Sequence, residues 1–211
     1  MNRFFSTLGQ PFYKRYINYN AFFTTDAKNG LYSSDFKESL GSNDTFEIFR
    51  PFFDSKLDLL DNALKIDINT YLPDDLLYKS DSSSMAYGLE LRSPFLDFAL
   101  MEKIASMPSN LKLKFLNKKK ILKDIAIKNN LLPKAIVYRK KHGFVIPQNK
   151  WFKGILRDYL YNTIISSDIC ERICIKEKLK NYLDTYFNTN LNYDNNIFAL
   201  LILSNWINKY F

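Results

Sequence analysis

The chain has 211 residues and a mass of 24.9 kDa, with 46% hydrophobic and 16% aromatic residues. That is enough apolar material for a core and excludes a mostly disordered chain, and the length suits one ordinary domain or a domain with a small appendage. Thirty Lys and Arg against 22 Asp and Glu give a formal net charge of +8, yet residues 112–141 alone hold eleven basic residues and one acid, Asp124, so that this segment is +10 and the rest of the chain −2. An anionic partner is expected to meet the 112–141 segment.

From the N-terminus onward, Met1-Asn2-Arg3-Phe4-Phe5 lacks the apolar run of a signal peptide. Residues 55–71 read as a helix capped by Ser55, with Leu57, Leu60, Leu64, Ile68 and Tyr71 at three- and four-residue spacing. A second helix spans 97–106, capped by Asp97 and stopped by Pro108. Residues 118–129 form a basic amphipathic helix, and Pro133 suits the first turn of a short helix after it. The last two helices are expected over 169–187 and 194–210, capped by Asp168 and Asp194. No run alternates with period two between turn signals, so the chain reads as mainly α.

Several chemistries are excluded by counting. Cys170, Cys174 and His142 are too few for a structural zinc site, and two cysteines in a chain this size read as reduced packing residues of a cytoplasmic protein. The longest apolar stretch, Ile197 to Leu203, falls far short of the roughly 20 residues of a membrane span. The closest glycine pairs, Gly30/Gly41 and Gly143/Gly154, are eleven residues apart, so the sequence holds no glycine-rich loop that could wrap its amides around a phosphate.

Three segments are more specific than helix packing requires. They are Tyr71-Leu72-Pro73-Asp74-Asp75-Leu76-Leu77-Tyr78-Lys79-Ser80-Asp81, followed by Ser82-Ser83-Ser84-Met85-Ala86; Gly88-Leu89-Glu90-Leu91-Arg92-Ser93-Pro94-Phe95-Leu96-Asp97; and Arg139-Lys140-Lys141-His142-Gly143-Phe144-Val145-Ile146-Pro147. Together with Lys119-Lys120-Ile121-Leu122-Lys123 they resemble, in order, four runs of the synthetase domain of glutamine-hydrolysing asparagine synthetases: Y-L-P-D-D-L-L-x-K-x-D-x-x-S-M-A, L-E-x-R-x-P-F-L-D, K-x-x-L-[KR] and R-x-K-x-G-F-x-x-P. The likeness extends from the Pro11-to-Tyr16 region to Trp151. It implies a fold: the helical C-terminal portion of an α/β PP-loop ATP-pyrophosphatase-type domain whose parallel sheet is largely missing, covering 1–211.

The departures from the family pattern are as specific. Asn2 stands where the family's glutaminase domain has its nucleophilic cysteine, and the S-G-G-x-D-S loop that grips the pyrophosphate of ATP is absent, as is the S-G-E-G-x-D-E segment of the same site. Ser82 stands where Arg is common after the aspartate corresponding to Asp81. The expectation is a chain corresponding to the last third of such an enzyme, as a fragment, a split-gene subunit or a decayed copy, inactive alone; a split-gene subunit would take the PP-loop and glutaminase parts from a second chain.

The resemblance implies activation of an aspartate carboxylate by attack on the α-phosphorus of ATP, loss of pyrophosphate, and displacement of AMP by ammonia drawn from glutamine. Fixed cations would stabilise the charge on the phosphoryl oxygens. Lys141 matches the family's phosphate-contacting lysine, with Lys119 and Arg139 as further ATP or pyrophosphate contacts; otherwise Lys140-Lys141 and Lys118 to Lys120 are solvated helix-end lysines. Glu90 would lie near the acyl-adenylate and handle the incoming ammonia, or else pair structurally with Arg92. Arg92 and Asp81 belong to the substrate region, Asp97 is a helix cap, and Asp74 and Asp75 are first-turn acids. Magnesium would travel on the ATP phosphates rather than on a site of this chain. A different class of function is a non-catalytic helical module binding nucleic acid through 112–141, but only Phe115 and Tyr138 interrupt the basic run with aromatics, fewer than base stacking calls for.

Overall fold

A computed structural model of the chain describes residues 5, 7–115, 118–140, 146–191 and 193–211. In chain order the α-helices are α1 (Phe12–Asn20), α2 (Thr25–Leu31), α3 (Ser34–Leu40), α4 (Leu59–Asn69), α5 (Tyr78–Met85), α6 (Phe98–Ala105), α7 (Ser109–Lys112), α8 (Lys120–Lys128), α9 (Lys134–Val137), α10 (Gln148–Lys153), α11 (Arg157–Ile165), α12 (Ile169–Arg172), α13 (Lys176–Asn188) and α14 (Asp194–Tyr210). Two 3-10 segments, Thr45–Phe52 and Pro94–Leu96, and one π-helical segment, Leu72–Leu77, complete the regular structure. Among the described residues there is no strand. The helices divide into two compact units, residues 1–45 with 144–211 and residues 46–143.

The first unit, with α1–α3 and α10–α14, closes a core of its own. Leu160 and Ile164 on α11, Leu179, Leu183 and Tyr186 on α13, and Ile197 on α14 are fully buried. Their three- and four-residue spacing places them on one face of each helix. Thr24 and Ser33 cap α2 and α3, accepting from Ala27 N at 3.3 Å and Phe36 N at 3.2 Å, with Asp26 and Asp35 in the first turns.

The expected helix over 169–187 is interrupted, and the cause is tertiary. Ser33 N donates to Ile173 O and Ile175 N to Leu31 O, each at 2.9 Å, an antiparallel bridge centred on Tyr32 and Cys174. Those pairings take Ile173 O and Ile175 N out of the helical ladder and split the stretch into α12 and α13. The expected caps differ as well. Asp168 pairs with Arg172 at 3.8 Å rather than capping. Asp194 lies inside α14, where its Oδ1 accepts from Tyr186 Oη at 2.6 Å and from Asn149 Nδ2 at 3.0 Å.

The second unit, with α4–α9, buries little. Among its described residues only Phe46, Asn62, Ile66 and Ala126 are buried. Asn62, 1% exposed, ties the chain before α4 to the helix: Nδ2 donates to the carbonyls of Asp54 (2.8 Å), Leu57 (3.0 Å) and Asp58 (3.1 Å), while Oδ1 accepts from Asp54 N (2.7 Å). This knot holds 54–58 as a turn, so α4 starts at Leu59 with Asp58, not Ser55, as the cap, accepting from Asp61 N at 2.9 Å. The helix ends at Asn69, short of Tyr71, and Asp97 caps α6 as expected, accepting from Leu100 N at 2.9 Å.

Two consequences can be measured. Tyr186→Phe removes a hydrogen bond to a carboxylate from the first unit and should lower stability by about 1.5–3 kcal/mol in denaturant unfolding. Burial also holds three acids of that unit in their protonated forms: the Tyr32 and Tyr186 phenols are pushed up, and the Cys174 thiol is raised from 9.0 to about 12, by burial first and by neighbouring Cys170 second. The folded state then keeps protons that the unfolded chain releases, so this stability is intact below pH 9 and declines as pH rises towards 12. Melting should occur at lower temperature at pH 10.5 than at pH 8, and Cys174→Ala should narrow the difference.

Candidate functional site

The second unit contains a groove of about 720 Å³ where three of the four motifs converge. Leu72 comes from the first motif, Phe95 and Leu96 from the second, and Lys119, Ile121 and Leu122 from the short lysine motif. The rest of the wall comes mainly from α4 and α6, with Leu57 ahead of α4, Lys112 of α7 and Ile125 of α8; Asp61, Lys65 and Asn69 of α4 are its other polar residues. The motifs are thus brought together through their apolar letters, and their polar letters are displayed around that packing.

Glu90 and Arg92 lie in the irregular stretch between α5 and the Pro94–Leu96 turn. Glu90 Oε1 and Arg92 Nη2 are 2.6 Å apart, with side chains 69% and 85% exposed. Asp81 lies on α5 and is exposed; its carbonyl accepts from Ser84 Oγ at 3.1 Å, and Ser82 beside it is exposed too. Asp74 and Asp75 are, as expected, acids of a first helical turn, that of the π-helical segment, and Asp75 pairs with Lys79 at 3.2 Å. This wider turn follows from Pro73, which has no N–H to donate to a regular ladder.

Lys119 is exposed and sits in the left-handed region, φ 59° and ψ 38°, at the position before α8. A non-glycine residue there is costly unless its surroundings fix it. The helix expected from 118 therefore begins at Lys120. Arg139 follows α9 and is exposed. Lys141, expected as the principal phosphate contact, lies outside the described residues, as do His142 and Gly143. Of the six site residues expected from the sequence, Glu90 and Arg92 are in direct contact, Lys119 lines the groove, and Asp81 and Arg139 stand apart on exposed surface.

Two ion pairs use up part of the basic segment. Lys112 Nζ is 2.6 Å from Asp61 Oδ1, with side chains only 8% and 23% exposed, and also donates to Ala105 O at 3.0 Å. Lys120 bonds Asp124 one turn along α8. Asp124 is held below the usual carboxylate range, first by that bond and then by the charges of Lys120, Lys128 and Lys114. The Lys112–Asp61 pair spans 51 positions of sequence, and no local pattern could have disclosed it. Among the described residues of the segment, Lys114, Lys118, Lys119, Lys128, Lys134, Arg139 and Lys140 are exposed.

Over 102 residues the chain is 35% identical to asparagine synthetase [glutamine-hydrolyzing] 1 of Bacillus subtilis (strain 168), a match covering 48% of this chain and 16% of that protein. Over 103 residues it is 34% identical to a putative asparagine synthetase [glutamine-hydrolyzing] of Mycobacterium tuberculosis (strain ATCC 25618 / H37Rv), with the same coverage of each. The asparagine synthetase [glutamine-hydrolyzing] of Rattus norvegicus is 36% identical over 98 residues, 44% of this chain and 17% of the relative. The match therefore spans about a sixth of each relative's length, and no solved structure matches the chain. The family model for asparagine synthase matches residues 11–208, nearly the whole chain, which therefore belongs to the asparagine synthase family.

Proposed function

We propose that this chain serves an ATP-dependent amidoligase of the asparagine synthetase type, which converts aspartate to asparagine through β-aspartyl-AMP. Its part is the helical C-terminal portion of an α/β PP-loop ATP-pyrophosphatase-type domain. The observation that carries this reading is the ordered set of four motifs within the matched residues 11–208. The gathering of three of them at one groove supports it.

In this reading Lys141, Lys119 and Arg139 hold the phosphates of ATP and the departing pyrophosphate. A cation aimed at the oxygens that gain charge as the P–O bond breaks lowers the barrier without reorganising in the step. Glu90 receives a proton from the incoming ammonia as it attacks the acyl carbon. Arg92, 2.6 Å from Glu90, orients that carboxylate. Asp81 belongs to the substrate region. Glutamine or free ammonia supplies the nitrogen.

Magnesium enters on the phosphates of ATP. Among the described residues no three Asp, Glu, His or Cys side chains gather, and no step is assigned to the ion. No helix among the described residues is long and apolar enough to cross a membrane. The S-G-G-x-D-S loop is supplied from outside these 211 residues.

The test is aspartate-dependent release of AMP and pyrophosphate. The 211-residue protein alone should show no ATP–pyrophosphate exchange, and exchange by the chain alone overturns the need for an outside loop. Mixed with a polypeptide carrying the S-G-G-x-D-S part of a synthetase, it should form AMP. In that mixture Lys141→Ala and Glu90→Gln should each lower the rate at least about tenfold. Because the Glu90–Arg92 pair is exposed, Glu90→Gln should change unfolding stability by less than about 0.5 kcal/mol. A rate unaffected by either substitution removes the proposed roles.

A further inference from the structure

The groove of the second unit has the make-up of a small-molecule site. Its volume of about 720 Å³ lies within the roughly 300–1,000 Å³ of such sites, which combine apolar walls with a few placed polar groups. Of the eighteen described residues that line it, twelve are aliphatic, Leu64, Ile68, Leu100, Ile104 and Leu122 among them, and Phe95 is the one ring. A nucleobase would find little there to stack on. An alkyl chain matches such walls, because each methylene it takes out of water is favourable and no directional partner is required.

The polar groups of the lining decide the other end of the ligand. Asp61 and Lys112 are paired at 2.6 Å, Lys65 lies 3.9 Å from Asp54, and Asn69 Nδ2 donates to Lys65 O at 2.7 Å. Lys119 differs from all of these. Among the described residues its ammonium has no hydrogen-bond or ion-pair partner, and its backbone is held at φ 59°. Glycine would take that backbone without strain, and strained residues of other types collect at ligand clamps. One uncompensated positive charge beside an aliphatic wall is complementary to one negative charge on an aliphatic body.

We propose that the groove binds a single-chain aliphatic carboxylate, with its chain against α4, α6 and α8 and its carboxylate on Lys119. The site does not rest on the catalytic reading, and its test reads binding without nucleotide, because a phosphate would draw on the same ammonium. Titration calorimetry of the 211-residue protein with sodium dodecanoate, kept below the concentration at which it forms micelles, should show one molecule bound per chain. Affinity should rise at least about 30-fold from octanoate to dodecanoate as four more methylenes leave water. Dodecanoate should bind at least about fivefold more tightly than 1-dodecanol, and Lys119→Met should abolish that preference while 1-dodecanol binds as before. The double variant Leu64→Asn/Leu122→Asn should weaken dodecanoate at least about tenfold. Both leucines are exposed, so its far-ultraviolet circular dichroism should be unchanged. Ile202→Asn, at an exposed position of α14, should leave binding as it is.

Failure to bind dodecanoate overturns the proposal and leaves the groove to a polypeptide. Equal affinity for dodecanoate and 1-dodecanol overturns the role of Lys119, and binding undiminished in the double leucine variant overturns the location. Many molecules bound per chain with loss of circular dichroism is detergent unfolding and overturns the site. Co-sedimentation with phosphatidylserine vesicles in place of binding to monomeric dodecanoate assigns the surface to a bilayer and overturns the single-chain ligand.

Discussion

The constraint on which most of this structure depends is the unequal way its two units are closed. One buries Leu160, Ile164, Leu179, Leu183, Tyr186 and Ile197 completely and joins distant segments by backbone pairing at Tyr32 and Cys174. The other holds its helices with a single buried asparagine and a few apolar residues. Every member of the hydrogen-bond set around Asn62 must be present, because each Asp54, Leu57 or Asp58 group left unpaired in that setting costs about 1–3 kcal/mol. Polar geometry fixes where α4 begins, and apolar burial contributes little beyond it. A unit of this kind has well-formed helices and an unfinished exterior.

The sequence announced the helices more clearly than their ends. Asp97 acts as expected because its capping bond to Leu100 is local. Ser55 does not, because Asn62 fastens 54–58 as a turn, and Asp168 does not, because it pairs with Arg172 instead; the bridge to Leu31 and Ser33 breaks the helix further on, at 173–175. Asp194 is the clearest case. It sits where a cap would be sought, one residue into the helix, and its carboxylate is occupied by the Tyr186 hydroxyl. A capping rule sees only the neighbouring residues, and for Ser55 and Asp194 the competing donor lies outside that window.

The candidate site divides along the same line. The motifs are legible as ordered letters, and their apolar letters prove to be the ones that meet, Leu72 with Phe95, Leu96 and Leu122 around one groove. The pairing of Glu90 with Arg92 follows from their spacing of two. The left-handed backbone at Lys119 and the partnership of Lys112 with Asp61 do not follow from any local pattern. Their causes are the loop that feeds α8 and a contact between residues 51 positions apart.

The charge of the 112–141 segment gains its meaning from these contacts. Taken as a sum, +10 over thirty residues suggests a long track for a polyanion. The structure withdraws two of those charges from solution: Lys112 is buried against Asp61, and Lys120 is engaged by Asp124. Lys123 lies 5.6 Å from the centre of the Tyr138 ring, which occupies one of the two aromatics a stacking surface would need. What remains exposed among the described residues is Lys114, Lys118 and Lys119 ahead of α8, Lys128 at its end, Lys134 on α9, and Arg139 and Lys140 after it. The lysines that serve the fold and those left for a ligand are the same residue type within one run, and only their partners distinguish them.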